Sequence, residues 1–315
     1  MRVVALVPGG ISDQLLFLPT LDALKQNYPD AEIDVVVEPQ AKAAYRVSKS
    51  VNDVLAFDFK DRNSPADWAN LLGVLRDRDY EAVVSSSRSW ATQLLLWLTG
   101  IPTRVGYAGS GGSFFLTNLV TLKPEQSTID QYHDLLQGLG INTPCPELSI
   151  RVPKADQVWA DAERKRLGVN GYVLIYDGGQ SLSGTTTCYP IESWQRIIAD
   201  FQQKQPDLPL VLLQTPENAE FVAALTQAST GLKVSKLADP GKMGAMIAGA
   251  NLMLCTESAA MYLSVALQVY TLALLGASNP NQPWVKNDKF LGIQSATGKL
   301  ADISPEQVLQ KVWGG

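Results

Sequence analysis

A chain of 315 residues, with 46% hydrophobic and 18% charged residues, is long enough for two compact domains with separate cores. Its formal net charge of −5 argues against a general nucleic-acid binder, because such proteins need basic surfaces to neutralise phosphates. The cysteines, Cys145, Cys188 and Cys255, lie far apart and the only histidine is His133, so neither a disulfide framework nor a metal-ligand motif is predicted.

The N-terminus carries one basic residue and a short apolar run before two glycines, which is typical of a first β-strand and not of a signal peptide. The most apolar stretch elsewhere, residues 94–98, is too short to span a bilayer. We therefore expect a cytoplasmic protein that can work at the inner face of the cytoplasmic membrane. No oligomeric state is indicated.

Short apolar runs alternate with helical patterns, which predicts parallel sheets with crossover helices. The first series predicts strands at residues 3–7, 33–37, 51–57, 82–84 and 119–122, and helices at residues 13–27 and 90–98. The second predicts strands at residues 172–176, 210–213, 232–234, 252–254 and 270–275, and helices at residues 155–166, 191–203, 219–228, 243–248, 258–267 and 304–312. A proline-rich linker at residues 142–154 separates them, so we expect two Rossmann-like domains, residues 1–152 and 153–302.

The first candidate site follows the first strand, at the edge where open α/β sheets bind ligands. Gly9 and Gly10 permit close backbone approach, and Asp13 is placed to accept a proton from a hydroxyl group. Gly10 and Ser12 are candidate contacts for the molecule that carries this hydroxyl. Alternatively, Ser12 or Asp13 only caps the first helix. The third glycine of a dinucleotide fingerprint is absent.

The second candidate site is the loop of residues 177–187, after the strand at residues 172–176. Its glycines and hydroxyl groups offer hydrogen-bond donors to a diphosphate, above all Gly178, Thr185, Thr186 and Thr187. A surface loop without a ligand is the equal alternative.

The third candidate site lies between a strand and a helix. The backbone N–H groups of Ser258, Ala259, Ala260 and Met261 would form a phosphate site at the helix start, and Glu257 could accept hydrogen bonds from a ribose. The alternative is that Thr256 or Ser258 only caps this helix.

Three further residues have simpler interpretations. Arg88, which follows three serines, could contact the same hydroxyl-bearing molecule (the acceptor), although a position in a solvated loop is the alternative. His133 is expected at the surface or the edge of the core, and Trp284 is expected to be a packing anchor.

The same stretches resemble glycosyltransferase family 9, whose best-known members are ADP-heptose:lipopolysaccharide heptosyltransferases. Residues 10–21, GISDQLLFLPTL, resemble the family's Gly-Asp-hydrophobic segment that ends in Leu-Pro-Ala-Leu. Residues 103–107, TRVGY, are similar to its Arg-hydrophobic-Gly-aromatic element, and residues 255–263, CTESAAMYL, to its Asn-Asp-Ser-Gly-Pro-Met-His-Leu. Further similarities lie at residues 28–33, 189–194 and 276–280. The matches occur in the family's order over nearly the whole chain.

The resemblance implies a GT-B fold, in which two Rossmann-like domains have a cleft between them and the last helix, within residues 303–315, packs back on the N-terminal domain. It implies inverting sugar transfer without a metal or other cofactor, from a nucleoside-diphosphate sugar, with an ADP-linked sugar as the first candidate, to a saccharide or lipid-linked acceptor in lipopolysaccharide biosynthesis. On this basis Asp13 would be the general base, and the amides at residues 258–261 would bind the departing diphosphate.

The chain also departs from the family pattern. Thr187 stands where the family has a lysine beside the diphosphate, Glu257 replaces an aspartate, and Tyr262 replaces a histidine. Losing such a cation would cost on the order of 2–4 kcal/mol of transition-state stabilisation. The alternative is therefore a degenerate member that binds a nucleotide, saccharide or protein without catalysis. A nucleotide-sugar 2-epimerase of similar design fits the motifs less well.

Overall fold

The computed structural model describes residues 1–60, 63–178, 188–237, 239–276 and 288–314. Its contacts divide the chain into two units, Met1–Ser149 and Ile150–Gly315. The boundary lies inside the segment predicted to be a linker. Within the described ranges, no helix is long and apolar enough to cross a membrane.

The first unit contains one six-stranded parallel sheet with the order β3-β2-β1-β4-β5-β6. Val3 to Val7 are at most 1% exposed, because the central strand of a parallel sheet is buried on both faces. Val4 and Leu6 pack in one cluster with Leu75 of the second helix. The strands are Arg2–Val7 (β1), Glu32–Val37 (β2), Asp53–Ala56 (β3), Ala82–Ser85 (β4), Thr103–Tyr107 (β5) and Asn118–Val120 (β6), and the helices are Ile11–Asn27 (α1), Pro65–Asp77 (α2), Trp90–Thr99 (α3) and Thr128–Asp134 (α4).

The second unit repeats this topology. Its parallel sheet, read from the β9 edge, has the order β9-β8-β7-β10-β11-β12. With β7 counted as the first strand of this unit, the order is 3-2-1-4-5-6, as in the first unit. The strands are Val173–Tyr176 (β7), Leu210–Gln214 (β8), Lys233–Lys236 (β9), Leu252–Thr256 (β10), Thr271–Leu275 (β11) and Phe290–Gln294 (β12), and the helices are Lys154–Leu167 (α5), Ile191–Lys204 (α6), Ala219–Ala228 (α7), Pro240–Ala248 (α8), Ala259–Ala266 (α9) and Pro305–Trp313 (α10). The predicted parallel α/β architecture is confirmed in both units.

The last helix, α10, packs on α6 of the second unit. The rings of Trp313 and Phe201 are 4.8 Å apart, and the Trp313 indole donates to Asp200 Oδ2 at 2.6 Å. Val308 is buried in the core of the same unit. The sequence predicts that this helix packs on the N-terminal domain, whereas the contacts described here, with α6 and the core around Val308, lie within the second unit.

Candidate active site

The first unit places two predicted stretches at one edge of its sheet. Strands β1 and β4 are neighbours, with Leu6 opposite Ser85, and the strand order changes direction between them. Ligands of open α/β sheets bind at the carboxyl ends of such a strand pair. Gly10, Ser12 and Asp13 follow β1 and Arg88 follows β4, so the candidate acceptor residues share this edge. Arg88 is exposed and Ser12 is half-buried.

The Asp13 carboxylate is held from two sides. Its Oδ2 accepts a hydrogen bond from the Gly10 backbone N–H at 2.8 Å, and its Oδ1 accepts one from the Tyr132 hydroxyl at 3.2 Å. The N-cap of α1 is Gly10, and Asp13, three residues further on, accepts the Gly10 N–H, so Asp13 does cap the start of this helix whereas Ser12 does not. A Cβ on Gly9, which has φ +125°, would lie 2.4 Å from Asp13 Oδ2. The carboxylate therefore occupies space that only a glycine leaves open.

Burial raises the pKa of the Asp13 carboxyl, and the hydrogen bonds from Gly10 and Tyr132 act in the opposite direction. A raised pKa brings a carboxylate closer to neutral pH, where a general base takes up a proton more readily. Burial also raises the pKa of Tyr132, as does the nearby Asp13 charge. The tyrosine therefore remains a hydrogen-bond donor at neutral pH.

A second polar side chain fixes the turn that carries Asp13. Gln14 is fully buried, and its Nε2 donates to Val7 O at 2.9 Å. Its Oε1 accepts from the Tyr45 hydroxyl at 2.8 Å. The start of α1 is thereby tied to the end of β1 and to the 3₁₀ helix Pro39–Val47. Sequence reasoning assigned no role to Gln14, Tyr45 or Tyr132.

The second unit repeats this arrangement at β7 and β10, which are also neighbours, with Tyr176 opposite Cys255. The Gly178 N–H donates to Thr256 Oγ1 at 3.1 Å, and a Cβ on Gly178 would lie 2.8 Å from Ser258 Cβ. The structure therefore brings Gly178 and Ser258 together. Three other predicted residues of this loop, Thr185, Thr186 and Thr187, lie outside the described residues, as does Trp284.

Asp177 is a buried carboxylate that links three elements of the second unit. Its Oδ2 accepts from the backbone N–H of Tyr189 and from the indole of Trp194, both at 3.0 Å. Its Oδ1 accepts from the Thr256 hydroxyl at 3.3 Å. The sequence contained a signal for this role, namely an acidic residue between a buried strand and a glycine pair, but no function was predicted for it.

Helix α9 begins without a capping side chain. Ser258 is its N-cap, but the Ser258 hydroxyl donates to Thr256 O at 3.0 Å and makes no cap hydrogen bond. Neither Thr256 nor Ser258 therefore has the capping role considered above. The N–H groups of the first helical turn have no acceptor within the helix, and the helix dipole adds positive potential there. The start of α9 is thus suited to bind an anion.

The remaining predicted residues of this site lie around the start of α9. Glu257 and Ala259 are half-buried, whereas the side chains of Ala260 and Met261 are fully buried. Only the backbone of Ala260 and Met261 is therefore suited to contact a ligand. Over the described ranges of the chain, no three His, Cys, Asp or Glu side chains form a group that could hold a metal ion.

Two α/β units with this strand order, each with polar groups at its switch point, are the components of the GT-B fold. The structure of E. coli ADP-heptose LPS heptosyltransferase II shares it, with a TM-score of 0.81 and 19% identity, over 99% of this chain and 97% of that chain. The sequence model of glycosyltransferase family 9 (heptosyltransferase) matches residues 68–312, and the chain belongs to this family of glycosyltransferases. The resemblance found in the sequence is thereby confirmed.

Two curated relatives differ in what their names describe. Lipopolysaccharide heptosyltransferase 3 of Escherichia coli is 23% identical over 87% of this chain and 84% of its own length. The photosynthetic NDH subunit of subcomplex B 1 of Arabidopsis thaliana is 26% identical over 96% of this chain and 71% of its own length. This chain is therefore similar both to a named transferase and to a named subunit of a larger complex.

Proposed function

We propose that the protein transfers a sugar from a nucleoside-diphosphate donor to a hydroxyl group of a saccharide or lipid-linked acceptor, with inversion at the anomeric carbon and without a metal. The acceptor oxygen forms a bond to the anomeric carbon as the bond from that carbon to the diphosphate breaks. Asp13 takes the proton of the acceptor hydroxyl, and the bonding electron pair leaves with the diphosphate. The raised pKa of Asp13, at the ligand-binding edge of its sheet, carries this proposal.

The second unit supplies the donor half of the proposed reaction. The N–H groups of residues 258–261 would bind the diphosphate at the start of α9, and Gly178 would allow its close approach. Glu257 would accept hydrogen bonds from the ribose. The positive end of α9 stabilises the charge of the leaving group, which is the role that a metal ion has in other transferases.

ADP-heptose is the first donor to test, because the structural relative carries that nucleotide sugar in its name. A panel of UDP-, GDP- and CDP-linked sugars extends the test, since Glu257 and Tyr262 depart from the family pattern beside the nucleotide.

The decisive experiment compares wild type with Asp13→Asn and uses Asp22→Asn as a matched control. Asp22 lies on the same helix, accepts a hydrogen bond from Ser50, and also has a pKa raised by burial. We expect Asp13→Asn to slow transfer by about 10²–10⁴-fold and Asp22→Asn to leave it nearly unchanged. Both variants should bind ADP as wild type does, because the proposed donor site is in the second unit. Equal transfer rates for the three proteins would remove Asp13 from the mechanism.

A family member that binds without catalysis is the second candidate; it is suggested by the departures at Thr187 and Tyr262 and by the similarity to the NDH subunit, whereas the family match supports the transferase. The variant Thr187→Lys separates the two candidates, since it restores the family's cation. An active transferase that merely lacks this group should gain about 10²-fold in rate. A chain without catalysis should show no transfer either as wild type or as this variant.

A further inference from the structure

Helix α3 exposes several large apolar side chains, although Leu95 and Leu96 on its buried face already pack in the core of the first unit. None of its ten residues is charged. The side chains turned toward the first unit include Thr92, Gln93 and Thr99, all at most 8% exposed. Trp90, Trp97 and Leu98 are instead 62%, 51% and 38% exposed. Such a helix is normally covered on its apolar side, so this surface requires an explanation.

The exposed surface continues onto the 3₁₀ helix Ser113–Phe115. Phe114 is 76% exposed and its ring centroid lies 4.0 Å from that of Phe115, which in turn lies 5.8 Å from Trp97. A Cβ on Gly112 would lie 3.0 Å from the Cα of Trp90, so the two segments touch at both ends. Trp90, Trp97, Leu98 and Phe114 together are called the aromatic face below.

The sequence segment that contains the aromatic face carries only positive charge between Glu81 and Glu125, and one of its three cations, Lys123, forms an ion pair with Asp134. Residues 82–124 contain Arg88, Arg104 and Lys123 but no aspartate or glutamate, although the chain as a whole has 31 acidic residues and a net charge of −5. A stretch of this length would be expected to contain about four acidic residues at that composition. The surface is therefore complementary to an anionic partner.

Two arginines lie beside the aromatic face itself. Arg76 Nη2 donates to Leu98 O at 2.6 Å, and Arg104 Nε donates to Phe115 O at 2.8 Å. These contacts are with backbone carbonyl oxygens, and neither guanidinium group forms an ion pair with any carboxylate among the described residues. One cation therefore lies at the end of α3 and another at the 3₁₀ helix.

We propose that the aromatic face is a docking surface for an anionic lipid bilayer. Tryptophan and phenylalanine side chains favour the boundary between headgroups and acyl chains, and nearby arginines are attracted to anionic lipids. A helix of ten residues is too short to span the bilayer, so α3 lies in its surface. Proteins also bind through aromatic and arginine side chains, but the absence of any acidic residue in the surrounding stretch favours a uniformly anionic surface over a mixed one.

This inference deepens the proposed function. Only the reason for docking, which is access to a lipid-linked acceptor, rests on that function. Helix α3 begins two residues after Arg88, which lies at the same sheet edge as the turn that carries Asp13. Docking through α3 would therefore hold the candidate acceptor site close to a sugar on a lipid anchor. The binding itself requires no turnover and can be measured separately.

The test is sedimentation of the full chain with vesicles of phosphatidylcholine containing 30% phosphatidylglycerol, and with vesicles of phosphatidylcholine alone. We expect binding to the anionic vesicles that weakens as salt is raised. The double variant Trp90→Ala/Phe114→Ala should bind at least about tenfold more weakly. Trp90→Phe should retain most of the binding. The control is Tyr270→Ala, because Tyr270 is a comparably exposed aromatic residue (60%) in the second unit and should not affect binding.

Thermal unfolding shows whether each variant is folded. We expect all of them to fold, because the substituted side chains are exposed. Absence of binding to anionic vesicles, or equal binding by wild type and the double variant, would overturn the proposal. A dimer that the double variant dissociates, without vesicle binding, would instead assign the surface to a second copy of the chain. Asp13→Asn should bind vesicles as wild type does, so failure of catalysis and failure of docking are distinguishable.

Discussion

The Tyr132 hydroxyl donates a hydrogen bond to Asp13 Oδ1 at 3.2 Å, although the two residues lie 119 positions apart. Packing of α1 on α4 holds them together, with the rings of Phe17 and Tyr132 5.3 Å apart. Tyr132 is therefore a positioning residue for the candidate base, since it fixes the orientation of the carboxylate and favours its charged form.

The first prediction concerns Tyr132→Phe. The hydrogen bond from Tyr132 lowers the pKa of Asp13, so its removal lets that pKa rise further. Because the base acts in its deprotonated form, the acidic limb of the profile of kcat/KM against pH should move to higher pH. Tyr107→Phe is the control, since the Tyr107 hydroxyl donates to Gln131 O and not to Asp13. An unchanged acidic limb in Tyr132→Phe would contradict this role.

The second prediction concerns the stability of Asp13→Asn. Because the pKa of Asp13 is raised above its usual 3.8, the folded state favours the protonated carboxyl. The stability that this carboxyl contributes is present below about pH 4 and is lost as the pH rises through the folded-state pKa. Asparagine does not titrate, so the variant should have a higher Tm than wild type at pH 7–8. The difference should shrink as the pH falls toward 4. A lower Tm for the variant at pH 8 would show that the carboxylate is stabilising there.

The third prediction concerns the turn before α1. Gly9→Ala places a Cβ where the Asp13 carboxylate lies, at a backbone φ of +125°. We expect a loss of about 1–3 kcal/mol in the free energy of unfolding, together with reduced transfer. The control is Gly73→Ala in α2, where nothing lies within 4 Å of the added Cβ. It should stabilise the protein by about 0.5–1 kcal/mol in urea denaturation.

The fourth prediction concerns Asp177. Asp177→Ala removes the acceptor of the Tyr189 and Trp194 N–H groups inside the second unit. We expect a loss of about 3–5 kcal/mol in the free energy of unfolding. Asp177→Asn should cost clearly less, because an amide oxygen still accepts both hydrogen bonds. Similar losses for the two variants in urea denaturation would mean that the negative charge itself is required.

The sheet and helix pattern was largely predictable because parallel sheets bury long apolar runs. Helix α7 was predicted at its observed bounds, and α6 to within one residue. Helix α1 was predicted to start at residue 13 but starts at Ile11, since its N-cap, Gly10, has no side-chain oxygen to mark the position. Helix α2 and strands β5 and β12 were not predicted. Strand β12 is at the sheet edge and mostly exposed or half-buried, so its pattern of apolar residues is weak.

The candidate site was predictable where one short segment holds all its parts, as in residues 8–14 and 255–261. Tyr132, Tyr45 and Trp194 were missed, because each reaches its partner through packing between segments distant in sequence. The contacts of α10 were missed for a similar reason. Both α10 and α6 were predicted as helices, but the sequence did not indicate that they pack on each other.

Each six-stranded sheet comes from one uninterrupted stretch of chain, and α10 stays with its own unit. A junction at residues 149 and 150 consequently separates no hydrogen-bonded pair of strands. Recombination between family members at this point would exchange whole sheets and leave both halves intact. On the proposed assignment of the acceptor to the first unit and the sugar donor to the second, preferences for the two substrates would be inherited independently, and protein engineers could combine them by exchanging units.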